Sequence, residues 1–132
     1  KNLYILGWSL GGAVAIDLAS RDLDGPRGVI TISSFTSARK MASHLFPWLP
    51  TSLLLRHHFD SIDKIAAIRC PLLLIHGQRD SIVPLDMCQK LADRVTAPKT
   101  VLLLPESDHN DIFDRDYDSI AEALRVFIKP GA

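Results

Sequence analysis

Apolar runs separated by segments of helical length predict an α/β protein: a mostly parallel sheet of about four strands flanked by helices. Three observations carry this prediction. Leu3-Tyr4-Ile5-Leu6, Leu72-Leu73-Leu74-Ile75 and Val101-Leu102-Leu103-Leu104 are short continuous apolar runs, the pattern of strands buried on both faces in parallel sheets. Ile120, Ala123, Leu124, Phe127 and Ile128 follow the i, i+3, i+4, i+7, i+8 stripe of an amphipathic helix. Gly7-Trp8-Ser9-Leu10-Gly11 stands directly between an apolar run and a helix-like one, the setting of a sharp strand-to-helix turn.

Taken in order, a strand is expected near 2–6 and a helix near 10–20. That helix is apolar nearly all round apart from Asp17, so it is expected to be mostly buried. Gly7 and Gly11 are expected to give the room that a close strand-to-helix approach demands. The second strand is placed near 28–33, the third near 71–76 and the fourth near 100–104, with helices near 84–95 and 116–128. Pro84 fits the first turn of a helix, where its missing N–H costs no hydrogen bond. Right-handed crossovers then order the strands sequentially in one sheet. No repeat, low-complexity tract or linker interrupts residues 1–132, which are assigned to one domain.

Within that domain, residues 35–69 form a long segment between the second and third strands. It contains Met41, Leu45, Phe46, Trp48, Leu49, Leu53, Leu54 and Leu55 around Pro47 and Pro50, and the prolines predict a broken helix. Such a segment above the strand ends either covers the sheet or walls a pocket as a lid. Phe46, Trp48 and Leu49 are the candidates for lining an acyl pocket, because aromatic and aliphatic walls suit acyl chains.

Ser9 is the candidate nucleophile, and a serine hydroxyl needs a base oriented by a carboxylate before it can attack. Where a nucleophile sits on a strand-to-helix turn, its partners follow in the order Ser, acid, His, each on the loop after a later strand. Of five histidines, His109 fits best, in the polar loop Glu106-Ser107-Asp108-His109-Asn110-Asp111 after the fourth strand. Asp80, after the third strand, is the acid, with Asp108 and Asp111 as competitors for orienting the base. His76 precedes the acid loop and reads as a structural strand-end residue. The helix start also leaves the N–H of Leu10 free to hold a developing oxyanion.

With Gly7-Trp8-Ser9-Leu10-Gly11-Gly12, Cys70-Pro71-Leu72-Leu73-Leu74-Ile75-His76-Gly77 leading to Asp80 and Val83-Pro84, and His109-Asn110-Asp111, the chain resembles the α/β-hydrolase family over essentially its whole length. The His-Asn-Asp ending is similar to that of the ABHD subgroup of membrane-associated acyl hydrolases and their bacterial relatives. The resemblance implies Ser9 as nucleophile, Asp80 as acid and His109 as base, acting on an acyl ester or thioester without metal or organic cofactor. It also implies substrate contact by Trp8 beside the nucleophile. The chain corresponds to the carboxyl-terminal part of that fold, and the strands preceding the nucleophile in complete members are expected to lie outside this sequence. With them goes the loop that gives the second oxyanion donor, a loss on the order of 100- to 1000-fold in turnover. Membrane association is expected through such a preceding region, at the cytoplasmic face of a membrane if not in the cytoplasm. A serine peptidase of the same fold and a folded but non-catalytic binding module are the alternatives.

Charge and composition narrow the field further. Fifteen Lys and Arg balance fifteen Asp and Glu, so no nucleic-acid partner is implied. Cys70 and Cys88 are isolated and read as core thiols. No run is long enough to span a membrane. His57-His58 cannot share a helix face and has no third ligand near it, so no metal site is assigned. Asp114-Arg115-Asp116-Tyr117-Asp118 mimics a calcium loop, but Ser119 replaces the turn glycine and Arg125 the bidentate acid, and the segment reads as a helix start. The first strand, as an edge, is a candidate for self-association with another copy.

Overall fold

A computed structural model of the chain describes residues 2–21, 25–51 and 55–128. Four strands, β1 (Tyr4–Trp8), β2 (Gly28–Ile32), β3 (Leu72–Gly77) and β4 (Lys99–Leu104), form one sheet in the order β1-β2-β3-β4, with every neighbouring pair parallel. Among the described residues the helices are α1 (Leu10–Arg21), α2 (Ala38–Leu45), α3 (Ser61–Lys64), α4 (Leu85–Arg94), α5 (Ile112–Arg115) and α6 (Tyr117–Ile128), with a 3₁₀ turn at Ile65–Ala67. Parallel neighbours require crossover connections, and this is why each strand is followed by helical chain before the next begins.

The sheet is buried on both faces at its centre, so β2 and β3 are mostly apolar, with Thr31 and His76 their buried polar residues. Alternation along each strand divides their side chains between two cores. Val29, Leu72 and Leu74 meet Ile16 of α1 and Leu91 of α4 on one face. Ile30, Ile32, Leu73 and Ile75 meet Ile112 and Ile120 on the other, with Leu124 and Phe127 of α6 packed against them. The third and fourth strands and the last two long helices lie within a residue or two of their expected bounds.

β1 departs from expectation in place and in burial. It runs two residues later than the 2–6 span, and its face is half open: Leu6 is 50% exposed. The reason is its position at the sheet edge, where β2 is its only partner among the described residues. The same openness affects α1, which buries Ala13, Ala15, Ile16 and Ala19 but leaves Leu10, Val14 and Leu18, four apart, exposed. An all-round apolar helix is therefore buried on one side only.

Residues 35–69 contribute in part to the core. Phe35 and Met41 are core residues, packed with Ala13, Val83 and Met87. Phe46 and Trp48 stand out of that core, packed edge to face on each other with centroids 6.3 Å apart. Helix α2 begins at Ser37, whose side chain accepts from the Lys40 N–H, and ends before Pro47. Leu53 and Leu54 fall outside the described residues. Pro84 is the N-cap of α4 rather than a member of its first turn. Cys70 and Cys88 are free thiols, and burial pushes Cys88 up to about 12. No described helix is long and apolar enough to cross a membrane.

The two glycines of the turn are not equivalent. A Cβ on Gly7 would run into the backbone carbonyl of Gly11, whereas a Cβ on Gly11 would meet nothing within 4 Å. The second close approach belongs instead to Gly12, where a Cβ would stand 2.6 Å from Ser34 Oγ. Gly7→Ala is expected to destabilise by about 3 kcal/mol or more through overpacking against backbone. Gly11→Ala, inside α1, is expected to stabilise by ~0.5–1 kcal/mol through helix propensity. Urea unfolding of the two variants checks both signs.

Candidate active site

The turn after β1 puts Ser9 in a conformation that side chains rarely adopt, with φ 54°. Two hydrogen bonds and one steric clearance hold it there. The Ser9 N–H donates to the Ile32 carbonyl at 2.8 Å, the Ser9 carbonyl accepts from Gly12 N–H at 3.0 Å, and Gly7 lets α1 start directly above the strand. Strain of this kind persists only where the surroundings over-determine it, and its effect is to lift Oγ clear of the sheet edge. Leu10 is the first residue of α1, so its N–H has no intrahelical acceptor.

Asp80 is supplied by the loop after β3. Its side chain is wholly buried, and a buried carboxylate needs donors. One oxygen, Oδ1, accepts from the N–H groups of Ile82 at 2.9 Å and Val83 at 2.7 Å, the local pattern of an Asx turn. The other, Oδ2, accepts from Nδ1 of His109 at 2.9 Å. That bond assigns the imidazole proton to Nδ1 and leaves Nε2 as a bare lone pair. Nε2 accepts from the Ser9 hydroxyl at 3.1 Å, across 100 residues of sequence. A proton can therefore move from Ser9 Oγ to His109 without rearrangement of heavy atoms.

His109 is held from a second side by aromatic packing. The Trp8 indole stacks on the imidazole, with centroids 5.7 Å apart and planes inclined by 28°, and meets the Phe113 ring edge to face at 5.5 Å. Trp8 keeps a partly open face towards solvent. Phe113 is not legible as a site residue; the signal for it is an aromatic between Asp111 and Asp114, and Tyr117 between Asp116 and Asp118 offers the same. Phe46 and Trp48 pack on each other and, among the described residues, make no aromatic contact with Trp8 or His109, and Leu49 is half-buried.

Asp108 and Asp111 flank His109 but neither bonds its ring. Asp108 accepts from Ser81 and from the backbone N–H of His109, while Asp111 accepts from the Asp108 N–H and from Arg115. His76 is fully buried behind the acid loop, where its Nε2–H donates to the Val83 carbonyl at 2.8 Å. Desolvation lowers its pKa, with partial opposition from that hydrogen bond and from Asp80, so it stays neutral. It braces the turn that presents Asp80. His57 and His58 lie on the surface, and His58 bonds the Leu55 carbonyl.

A parallel sheet with a serine on a strand-to-helix turn and its hydrogen-bonded partners on the loops after the next strands but one and two defines the α/β-hydrolase fold. The chain belongs to the family described as "Serine hydrolase (FSH1)", whose model matches residues 4–110. It is 36% identical over 122 residues to the uncharacterized protein Rv2307c of Mycobacterium tuberculosis, an alignment covering 92% of this chain and 43% of that protein. It is 31% identical over 128 residues to human alpha/beta hydrolase domain-containing protein 17B, covering 97% of this chain and 42% of the relative. The chain thus spans less than half the length of these curated relatives. Among solved structures, an acetyl xylan esterase from Paenibacillus sp. R4 superposes with TM-score 0.73 at 18% identity, covering 95% of this chain and 44% of that one, a likeness of fold.

The buried neutral His76 makes stability depend on pH. Its folded pKa lies below the ordinary value of about 6.5, so between the two the unfolded chain binds more protons. Its contribution is complete above about pH 6.5 and is lost as pH falls towards the folded pKa, with a limiting slope of ~1.4 kcal/mol per pH unit. Urea unfolding at pH 7.5 and 5.5 is expected to show this acid loss in the wild type and a smaller one in His76→Gln. Equal losses in both would contradict the assignment.

Proposed function

We propose that the protein hydrolyses carboxylic esters or thioesters with acyl-type substrates, through a covalent intermediate on Ser9. The observation that carries this reading is the continuous chain of hydrogen bonds from Ser9 Oγ through His109 to Asp80, at 3.1 and 2.9 Å. Membership of a serine hydrolase family and the esterase named among its structural neighbours support it.

In this reading the three residues act as a catalytic triad. His109 Nε2 takes the Ser9 proton as Oγ bonds the substrate carbonyl carbon, and the carbonyl electrons move to oxygen. The N–H of Leu10 donates to that oxyanion. As the tetrahedral intermediate collapses, the bond to the leaving alcohol or thiol breaks, and His109 returns its proton to the departing atom. Water, deprotonated by the same Nε2, then attacks the acyl-Ser9 carbonyl and releases the acid and the free hydroxyl. Asp80 holds the imidazole in the required tautomer and stabilises its cationic form. Its burial makes that interaction strong, because water cannot screen it. Every proton is carried by this chain's own groups or by water, so the reading requires neither metal nor organic cofactor.

Substrate contact is assigned to Trp8, partly exposed and stacked on His109, and to Phe46, Trp48 and Leu49 on the segment after α2, acting as a lid over the strand ends. Trp48 is 77% exposed, which is the state of an aromatic side chain waiting for an apolar partner.

A fluorophosphonate probe, which phosphonylates activated serines, tests the reading. Wild-type protein is expected to be labelled, and Ser9→Ala is expected to take up no label. Asp80→Asn is expected to slow labelling by on the order of 10⁴-fold by leaving the imidazole in the wrong tautomer. Equal labelling of the wild type and Ser9→Ala would contradict the proposal.

A further inference from the structure

The acid loop and the base loop are joined at a second carboxylate, one that touches no reacting group. Asp108 Oδ1 accepts from the Ser81 N–H at 2.7 Å, from Ser81 Oγ at 2.9 Å and from the His109 N–H at 2.6 Å, and Oδ2 accepts from the same hydroxyl at 2.9 Å. Ser81 is the residue after Asp80, and Asp108 is the residue before His109. One carboxylate therefore ties the backbone of the base to the backbone beside the acid, one residue away from the Asp80–His109 bond on each strand of chain.

The remaining contacts between these loops lie on the far side of that bond. Gln78 N–H donates to the Leu104 carbonyl and Arg79 N–H to the Ser107 carbonyl, at 2.9 and 3.1 Å, and both sit nearer the sheet. An exposed Arg79–Glu106 pair at 2.8 Å adds little in water. Asp111 bonds only within its own segment, to Asp108 N–H and to Arg115. Without Asp108, the outer half of the base loop makes no hydrogen bond to the acid loop among the described residues except through the imidazole itself.

We infer that Asp108 and Ser81 form a positioning clamp that fixes the backbone of His109 against the acid loop and so sets the distance from the imidazole to Ser9. This deepens the proposed hydrolase mechanism and rests on it. Hydrogen bonds from the Ser81 and His109 backbones and from the Ser81 hydroxyl hold the Asp108 carboxyl below the usual carboxylate range, so it is an anion and a pure acceptor at neutral pH. Two carboxylates beside one histidine thus have separate tasks. Asp80 grips the ring, and Asp108 grips the chain that carries the ring.

The clamp acts on geometry, not on charge, so an isosteric neutral acceptor should replace it. Asp108→Asn keeps an oxygen for the two backbone N–H groups, whereas Asp108→Ala removes every acceptor. Labelling by a fluorophosphonate is read as a first-order inactivation constant and an apparent binding constant for the probe. Asp108→Ala is expected to lower the inactivation constant by ~10–100-fold, the scale of a misplaced base, with the binding constant changed less than about twofold. Asp108→Asn is expected to recover to within about threefold of wild type. Asp111→Ala, on the same loop but without a bond to the acid loop, is expected to label like the wild type within about threefold. Asp108→Ala labelling at the wild-type rate, with Ser9→Ala inert, would overturn the clamp and leave the proposed function standing. Equal loss in Asp108→Ala and Asp111→Ala would overturn it too, by making the effect one of general loop stability. Labelling of Ser9→Ala at the wild-type rate would remove the proposed function, and the clamp with it.

Discussion

The close approach of helix α1 to strand β1 at Gly7 is the constraint on which the site depends. A helix can begin directly over the end of a strand only if the strand residue beneath it has no side chain, and the Gly11 carbonyl occupies the space where one would be. Given that contact, Ser9 is forced into its left-handed conformation, and α1 begins at the next residue, with the Leu10 N–H free of an intrahelical acceptor. The Ile32 carbonyl of the neighbouring strand takes the Ser9 N–H, so the turn is anchored to the sheet and not only to itself. Local strain is thereby held by long-range structure.

The same sheet decides where the partners fall. In a parallel sheet every strand ends on the same edge, so the loops after β1, β3 and β4 open on one rim although they are separated by tens of residues. Burial then sets the character of each group there. Asp80 is removed from water and compensated by two backbone donors and an imidazole, which leaves it rigid. His76, one turn behind, is kept neutral by desolvation and serves as a prop. Exposed groups at the same rim, Trp8 and Phe113, contribute flat surfaces and no charge.

The open face of β1 and of the Leu10, Val14 and Leu18 stripe on α1 belongs to the same geometry. Side chains on an edge strand are covered on one side only, however apolar the sequence, because burial is a property of neighbours. The rules that recognise a strand from an apolar run cannot tell a central strand from an edge one. They read β1 and β3 alike; it is the sequential strand order that puts β1 at an edge and β3 inside the sheet.

Residue pattern alone determined the number and order of strands and the helices after them, and singled out Ser9, Asp80 and His109 as candidates, because periodicity and a Gly-x-Ser-x-Gly turn are local properties that survive without coordinates. It ranked Asp80 ahead of Asp108 and Asp111 for orienting the base but could not show which of them reaches the ring. Asp80, Asp108 and Asp111 are equivalent as letters, and Asp108 is adjacent to His109 while Asp80 is 29 residues away. Tertiary structure alone decided it: the backbone direction at each loop aims Asp80 at the ring and turns Asp108 towards Ser81. It also decided that Gly12, not Gly11, is the second tight glycine, and that Trp8 lies on the imidazole. These are facts of distance between segments remote in sequence, which no local pattern encodes.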